Sequence, residues 1–137
     1  MFFHVLLFLV HFITYWIMSF IFFIYDVLYN RIKGRNYEYI SIVVLLNQIF
    51  LSLPLVLFFD YYFPFERELC ILHGIWQIPC LIILHDILFY HLHRLMHTRF
   101  FYKFHKTHHK IKNVIGVGAL YAGSIEHIFV NMLPAYL

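Results

Sequence analysis

Three long runs of apolar residues dominate the first two-thirds of the chain. They extend over residues 2–25, 39–59 and 69–90, with few polar side chains inside them. An α-helix needs roughly 20 apolar residues to cross the hydrocarbon core of a bilayer, and each run reaches that length. We therefore predict three membrane-spanning helices. Pro54 lies inside the second run, where we expect a kink rather than a helix end, because a membrane helix can satisfy the freed carbonyl locally.

A fourth, shorter pattern follows Gly116 and Gly118, which interrupt the helical periodicity. Its apolar positions repeat at the spacing of one helix face: Ile125, Ile128, Phe129, Met132 and Leu133. Ser124 is a suitable cap residue, and Glu126 lies in the first turn, where the helix dipole favours an anion. At about 13 residues this helix is too short to span a bilayer. We expect it to lie on the membrane or to cap a cavity, with His127 on its solvated face.

The composition agrees with a membrane protein. Hydrophobic residues make up 63% of the chain and charged residues 12%, whereas soluble domains have roughly half and a quarter. The predicted fold is an all-α integral membrane bundle: about three spanning helices, a cytosolic histidine-rich helical region and a short interfacial helix. We expect residues 1–68 to form a two-helix membrane anchor and residues 69–137 to carry the third helix and the histidines.

The basic residues predict the orientation in the membrane. Three Lys or Arg residues lie between the first two runs, one lies between the second and third, and six follow the third. Since loops rich in Lys and Arg stay in the cytosol, the first loop and the carboxyl-terminal region are predicted to be cytosolic, with the amino terminus opposite. The last six are interleaved with Phe and Tyr beside apolar runs, which suits anionic lipid headgroups; we expect no nucleic acid partner.

Histidines are concentrated behind the third run. His93 and His97 are four residues apart, which places both imidazoles on one helix face. A His-x-x-His-His group follows, formed by His105, His108 and His109. Two groups with this spacing predict a metal site rather than a chance gathering of amphipathic residues at a membrane interface.

Asp86 precedes His93 by seven residues, which brings it to nearly the same helix face. We expect its carboxylate to accept a hydrogen bond from a ligand imidazole, with direct metal binding as the alternative. His91 points away from His93 on a helix, and the role of His85 stays open. Three isolated histidines in the spanning runs are expected to be structural: His4, His11 and His73.

The kind of metal follows from chemistry more than from spacing, because imidazoles suit iron, zinc and copper alike. Hydrolytic zinc motifs carry a carboxylate base next to the first histidine, whereas Arg94 follows His93 here. Haem takes its axial histidines from facing helices rather than from a cluster of five, although bis-histidine haem electron transfer remains an alternative. Iron for oxygen chemistry fits best, with zinc possible in purified protein.

Residues 85–137 resemble the fatty acid hydroxylase and sterol desaturase superfamily, with methyl-sterol oxidases nearest. The resemblance rests on three stretches: HDILFYHLHRLMH at residues 85–97, FYKFHKTHH at residues 101–109 and YAGSIE at residues 121–126. It implies a non-haem di-iron oxidase of the endoplasmic reticulum membrane, which hydroxylates or desaturates a lipid or sterol in lipid biosynthesis. Such an enzyme uses O2 and NAD(P)H-derived electrons from a cytochrome b5-type donor.

The resemblance also implies roles for individual residues. The metal ligands would be His93, His97, His105, His108 and His109. Arg94 and Glu126 are expected to make supporting contacts beside them. Because breaking an unactivated C–H bond exceeds what side chains do, the metal would carry the oxidant, and the apolar substrate would enter from the bilayer.

The chain departs from the family pattern at three points, one of which is His85, where the family usually has an acidic residue. Gly123 and Ser124 stand where the family has His and Pro, and a further histidine box of the family does not occur before Leu137. We therefore expect the chain to be the amino-terminal part of such an oxidase. The alternative is a truncated, catalytically inactive membrane protein of the same fold with a structural or partner role.

Overall fold

A computed structural model describes residues 3–34, 36–63, 71–111 and 115–136 of the chain. All regular elements in these ranges are helical, as the apolar runs predict. Three stretches are long and apolar enough to cross a membrane: His4–Leu28, Tyr37–Tyr62 and Ile75–Met96. The molecule is thus a multi-pass membrane protein built as an all-α bundle.

The first span is helix α1 (Phe3–Leu28). It ends where Asn30 adopts a left-handed φ of 54° and the backbone N–H of Arg31 donates to the carbonyl of Asp26 at 2.7 Å. A residue in this conformation commonly closes a helix in this way, because the returning N–H satisfies a carbonyl of the last turn. Gly34, with φ of 75°, then turns the chain toward the second span.

The second span contains a wide helical turn next to its proline. Helix α2 (Tyr37–Asn47) passes into a π-helical turn (Gln48–Ser52), which leads into helix α3 (Leu53–Tyr62). Pro54 has no N–H to donate to the preceding turn, and the π-helical turn accommodates the interrupted hydrogen-bond ladder. The predicted kink is therefore a local widening, and it places the polar side chains of Gln48 and Ser52 in the interior at 1% and 2% exposure.

The third span is helix α4 (Ile71–Met96), which continues beyond the end of its apolar run. No glycine or proline follows Tyr90 until the helix has ended, so nothing in the sequence stops it at the edge of the run. Its outward face is apolar and exposed, as at Trp76 and Leu81. Such a surface suits contact with lipid tails, and the extension carries His93 beyond the apolar run.

After α4 the chain makes short helical turns and then returns to the bundle. Helix α5 (Tyr102–His105) and a 3-10 turn (His108–Lys110) lie just beyond α4. Residues 115–123, which we call the re-entrant segment, include a second 3-10 turn (Gly116–Leu120). The Tyr15 hydroxyl donates to the Val117 carbonyl at 2.7 Å. This bond fixes the re-entrant segment against α1.

Residues 124–136 form the last helix, which starts at Ser124 as predicted. Its parts are α6 (Ser124–Glu126), a π-helical stretch (His127–Met132) and α7 (Leu133–Tyr136). Gly123, rather than Ser124, occupies the cap position, and no side chain caps the helix. The face assignment for His127 was wrong: His127 is 1% exposed and Glu126 is 3% exposed, while Ile125 and Phe129 face outward. The polar face points into the bundle.

Candidate metal centre

A tight reversal of the chain brings the two histidine groups together. His93 lies near the end of α4 and His97 follows the helix directly. The Thr98 hydroxyl donates to the Leu95 carbonyl at 2.7 Å, and the backbone N–H of Tyr102 donates to the Thr98 carbonyl at 2.9 Å. These bonds fold α5 back, so that the second histidine group lies against the first.

Four imidazole nitrogens form a chain of close contacts. The Nε2 atom of His97 is 3.2 Å from Nε2 of His93 and 3.2 Å from Nε2 of His105, which is 2.9 Å from Nε2 of His109. Nitrogens bound to one metal ion at about 2.0–2.1 Å would be separated by roughly 2.9–3.4 Å in octahedral or tetrahedral arrangements. The observed spacing is that of ligands to a common ion.

His105 is held in place by a carboxylate. Its Nδ1–H donates to Oε1 of Glu126 at 2.7 Å, and the imidazole is fully buried. With the proton on Nδ1, Nε2 presents a lone pair toward the other imidazoles, which is the tautomer that binds metals. One lone pair cannot satisfy the Nε2 atoms of both His97 and His109, whereas a cation between them can. The donor set therefore fits a metal ion.

His108 completes the group from the other side. Its Nδ1–H donates to the backbone carbonyl of Tyr121 at 3.0 Å, which again leaves Nε2 without its proton. The His108 ring stacks on that of His105 with 5.6 Å between ring centroids, and its centroid is 6.2 Å from that of His93. All five predicted ligands are thus brought together in one cluster, which we call the histidine cluster.

The electrostatics of the cluster favour neutral imidazoles. Burial, together with the neighbouring histidines, lowers the pKa of His105 to about 4. Burial raises the pKa of Glu126 to about 7, against a smaller opposite effect of the Gly123 backbone. Burial and the neighbouring histidines also lower the pKa of His109. Neutral imidazole is the form that binds metal, so the site is ready to accept a cation near neutral pH.

Two of the predicted supporting residues lie elsewhere. The Asp86 side chain is 76% exposed and lies 3.6 Å from Nδ1 of His85. Although it shares a helix face with His93, seven residues correspond to roughly 10 Å along the axis, which is too far for a hydrogen bond. Arg94 is exposed and its Nη1 lies 3.4 Å from the Tyr90 hydroxyl. Glu126 makes the imidazole contact that we expected of Asp86.

Other histidines lie outside the histidine cluster. His91 points away from the cluster, with Nδ1 2.8 Å from the Ile87 carbonyl. His4 pairs with Asp60 across the bundle at 3.1 Å, and both His11 and His85 line the cavity described next. The side chain of His73 lies outside the described residues.

A cavity of about 550 Å³ adjoins the histidine cluster. His93 and His108 form part of its wall, together with apolar side chains such as Phe8 and Phe89 and polar ones such as Asn131. Gln48, a polar residue inside an apolar run, is a sequence signal for the polar part of the wall, but run length and periodicity do not show which side such a residue faces. In the structure, Gln48 begins the π-helical turn and its side chain is buried.

Comparison with known proteins places the cluster in a family context. Residues 78–137 match the family model described as fatty acid hydroxylase. Over 99 residues, 67% of this chain, the sequence is 41% identical to fatty acid hydroxylase domain-containing protein 2 of Macaca fascicularis. The Homo sapiens protein of the same name is 41% identical over 98 residues, 66% of this chain. The chain covers 30% and 29% of the lengths of these relatives. No solved structure matches.

Proposed function

Because this chain belongs to the fatty acid hydroxylase and sterol desaturase superfamily, we propose that it is part of a membrane-bound oxidase acting on lipid or sterol C–H bonds. The reaction would be hydroxylation or desaturation with O2 and NAD(P)H-derived electrons. The observation that carries the proposal is the convergence of the Nε2 atoms of His93, His97, His105 and His109 within 3.2 Å of their neighbours. The family relationship and this convergence point to the same chemistry.

The five residues of the histidine cluster would hold iron, with two ions expected in the complete family site and zinc possible on purification. When bound, iron would supply the oxidising power that side chains lack for an unactivated C–H bond. Residues of this chain would hold the metal ligands in the required orientation. Glu126 orients His105 and the Tyr121 carbonyl orients His108, each through an Nδ1–H bond that leaves Nε2 toward the cluster.

The cavity would hold the reacting lipid. It lies among the helices and most of its surface is apolar, although many of its lining residues carry a polar group, so an apolar chain can occupy it. The exposed apolar faces of α1 and α4 suit a surrounding bilayer. The substrate would therefore enter from the membrane, and the apolar wall would keep bulk water from the reacting carbon.

An electron donor would approach from the surface beside the cluster. That surface is basic and exposed, with the side chains of Arg94, Arg99, Lys103, Lys106 and Lys110. A positive surface steers and orients a negatively charged partner, which suits a cytochrome b5-type donor. In this proposal the cluster faces the cytosol at the endoplasmic reticulum membrane.

Metal analysis tests the proposal directly. We expect the purified chain to contain iron, or zinc acquired in its place, and expect His105→Ala and His108→Ala to lose most of it. His91→Ala is the matched control, because His91 lies on α4 but points away from the cluster. No iron or zinc above background in the wild-type chain, or equal metal loss in His91→Ala and His105→Ala, would refute the metal centre.

The alternative of an inactive protein of the same fold requires a different measurement. It is favoured by Gly123, which stands where the family usually has histidine. The metal-loaded chain would be supplied with a labelled sterol or fatty acid, O2 and reductant. Turnover abolished by His105→Ala but kept by His91→Ala would exclude the inactive alternative, whereas metal binding without turnover of either substrate would favour it.

A further inference from the structure

Two buried polar atoms in the cavity wall have no hydrogen-bond partner among the described residues: Nε2 of Gln48 and Nδ1 of His127. Both side chains are 1% exposed. A third such atom in the same wall, Oε2 of Glu126, belongs to the side chain that orients His105. A buried polar group left unpaired costs about 1–3 kcal/mol, so its presence calls for a specific reason.

The Gln48 amide has a fixed orientation, and its N–H donors have no partner among the described residues. The indole Nε1–H of Trp16 donates to Oε1 of Gln48 at 2.8 Å. Because an indole N–H only donates, it must meet the amide oxygen, and this settles the orientation of the amide. The two N–H groups on Nε2 therefore have no acceptor among the described residues, in a side chain that lines the cavity.

His127 presents the complementary group. Its Nε2 lies 2.8 Å from the Ser52 hydroxyl, which itself donates to the sulfur of Met132 at 3.2 Å. A thioether sulfur only accepts, so the one arrangement that gives all three groups a hydrogen bond has the hydroxyl donating to Met132 and Nε2–H of His127 donating to Ser52. Nδ1 of His127 then carries a lone pair. Gln48 and Ser52 are four residues apart in one π-helical turn, so the free donor and the free acceptor share one part of the cavity.

A hydroxyl group satisfies both atoms at once, because it accepts one hydrogen bond and donates another. A carboxylate would not, since it cannot donate to Nδ1, and no Lys or Arg occurs among the described residues that line the cavity. A buried carboxylate that does not reach the histidine cluster would therefore lack a permanent cation, which is strongly disfavoured.

We propose that the cavity binds the hydroxyl group of a neutral lipid between Gln48 and His127. The inference rests on the proposed function in that the lipid would be the oxidase substrate. His93 and His108 line the same cavity, so a lipid anchored by its hydroxyl group would place part of its hydrocarbon beside the histidine cluster. The anchor would determine which carbon is exposed to the cluster.

A ligand series on the unmodified chain tests this proposal. The probes are tritiated cholesterol and tritiated octadecan-1-ol, bound to the full chain as purified in nanodiscs and without reductant. Competitors are cholestane, octadecane, the two methyl ethers and stearate. We expect at least one of the alcohols to bind about tenfold more tightly than its hydrocarbon, with the methyl ether between them, because the ether accepts but cannot donate. The tighter alcohol identifies a ring or chain lipid.

Variants locate the anchor. Gln48→Met and His127→Phe keep the side-chain volume and should each weaken the binding of the alcohol about tenfold while leaving the hydrocarbon unchanged. Gln77→Met is the matched control, because Gln77 lies on the exposed face of α4. Where a variant fails to fold, as its melting temperature would show, the ligand series alone decides.

Specific results would overturn the inference. They are a hydrocarbon or stearate that binds as tightly as both alcohols, or a loss of affinity in Gln77→Met equal to that in Gln48→Met. Failure of the oxidase proposal looks different: the chain would bind neither iron nor zinc, yet would still prefer the alcohol. Iron binding and turnover without any preference for the alcohol would refute the anchor alone.

Discussion

His105 has no contact with solvent, and its carboxylate partner, Glu126, lies 21 residues further along the chain. The carboxylate oxygen fixes which nitrogen of the imidazole carries the proton. Partners of this kind typically change metal affinity by about 10–100-fold when they are removed. Glu126 is therefore a positioning residue that acts on the metal through His105.

We expect Glu126→Ala to lower the metal affinity of the chain by about 10–100-fold. Glu126→Gln should recover much of the loss, because its amide oxygen can still accept from Nδ1–H of His105. Competition with a chelator of known affinity measures the change. Glu38→Ala is the control, since Glu38 lies exposed in the first turn of α2. Equal affinities for Glu126→Ala and wild type would contradict the positioning role.

His127 should make the stability of the fold depend on pH. Burial, with a contribution from His11, lowers its pKa to about 4 from an ordinary value of 6.5. Between these values the unfolded chain binds a proton that the folded chain does not, so stability falls as the pH falls through this window. The lost stability amounts to at most about 3 kcal/mol.

Unfolding of the metal-free chain in detergent, followed at pH 7.5 and pH 5, measures the effect. Glu126, with its raised pKa, contributes the opposite slope between its ordinary value and about 7. His127→Gln separates the two, because it removes one titrating group and leaves the other. The difference in unfolding free energy between wild type and His127→Gln should shrink toward pH 5. A constant difference would be evidence against a lowered pKa of His127 in the folded chain.

At the scale of elements, the approach of the re-entrant segment to α1 depends on a glycine. A Cβ atom at Gly116 would lie 2.7 Å from Cβ of Phe22, closer than real carbon atoms approach. Since Cβ of Phe22 is anchored to the helix backbone, one of the two elements would have to move. We expect Gly116→Ala to destabilise the fold by about 1–3 kcal/mol, which thermal unfolding would detect.

Gly34→Asn is the matched control for this prediction. Gly34 has a left-handed φ of 75° and nothing within 4 Å of its added Cβ, and Asn tolerates that conformation better than most residues. Its melting temperature should stay near that of wild type. A Gly116→Ala variant as stable as Gly34→Asn would show that the segment does not pack as described.

The spanning helices could be predicted from the sequence, because bilayer thickness sets the minimum length of an apolar run that spans the membrane. The structure gives Phe3–Leu28 for the first span, close to the predicted run. The re-entrant segment was not accessible, because its position depends on contacts that local periodicity does not encode. The Asn47 side chain donates to the Ala122 carbonyl at 2.9 Å, for example, across 75 residues of chain.

Part of the candidate site could also be predicted from the sequence, because local helical geometry determines it. Spacing of three and four residues predicted which histidines lie close together, since helical turns convert such spacing directly into proximity. Spacing misplaced Asp86, because a shared helix face ignores distance along the axis. It also misplaced His127, because the polar face of an amphipathic helix has the same pattern whether it meets water or a polar interior.

At the scale of the whole molecule, three helices that each cross the bilayer have to alternate in direction, which would place the first loop and the histidine cluster on one side and Tyr62 on the other. The positive-inside rule predicts that the shared side is cytosolic. Ile32→Cys and Phe100→Cys occupy exposed positions on that side, and Tyr62→Cys an exposed position opposite.

In sealed microsomes, in a background with Cys70 and Cys80 replaced by Ser, a membrane-impermeant maleimide should label the first two variants and spare Tyr62→Cys. Labelling of all three after detergent treatment shows that each thiol is reactive. Labelling of Tyr62→Cys alone in sealed vesicles would show that the orientation is the reverse of the predicted one. Labelling of only one of Ile32→Cys and Phe100→Cys would contradict the three-span arrangement.

The bond between His105 and Glu126 also bears on how the protein is made. A ribosome delivers the five imidazoles to the membrane before it delivers the helix that orients them. Until that helix docks, His105 lacks the carboxylate that fixes its tautomer, so we expect metal to be held more weakly at this stage. Ordered metal loading therefore has to follow synthesis of the last helix, and a nascent chain stalled before Glu126 would insert its spans without acquiring a defined centre.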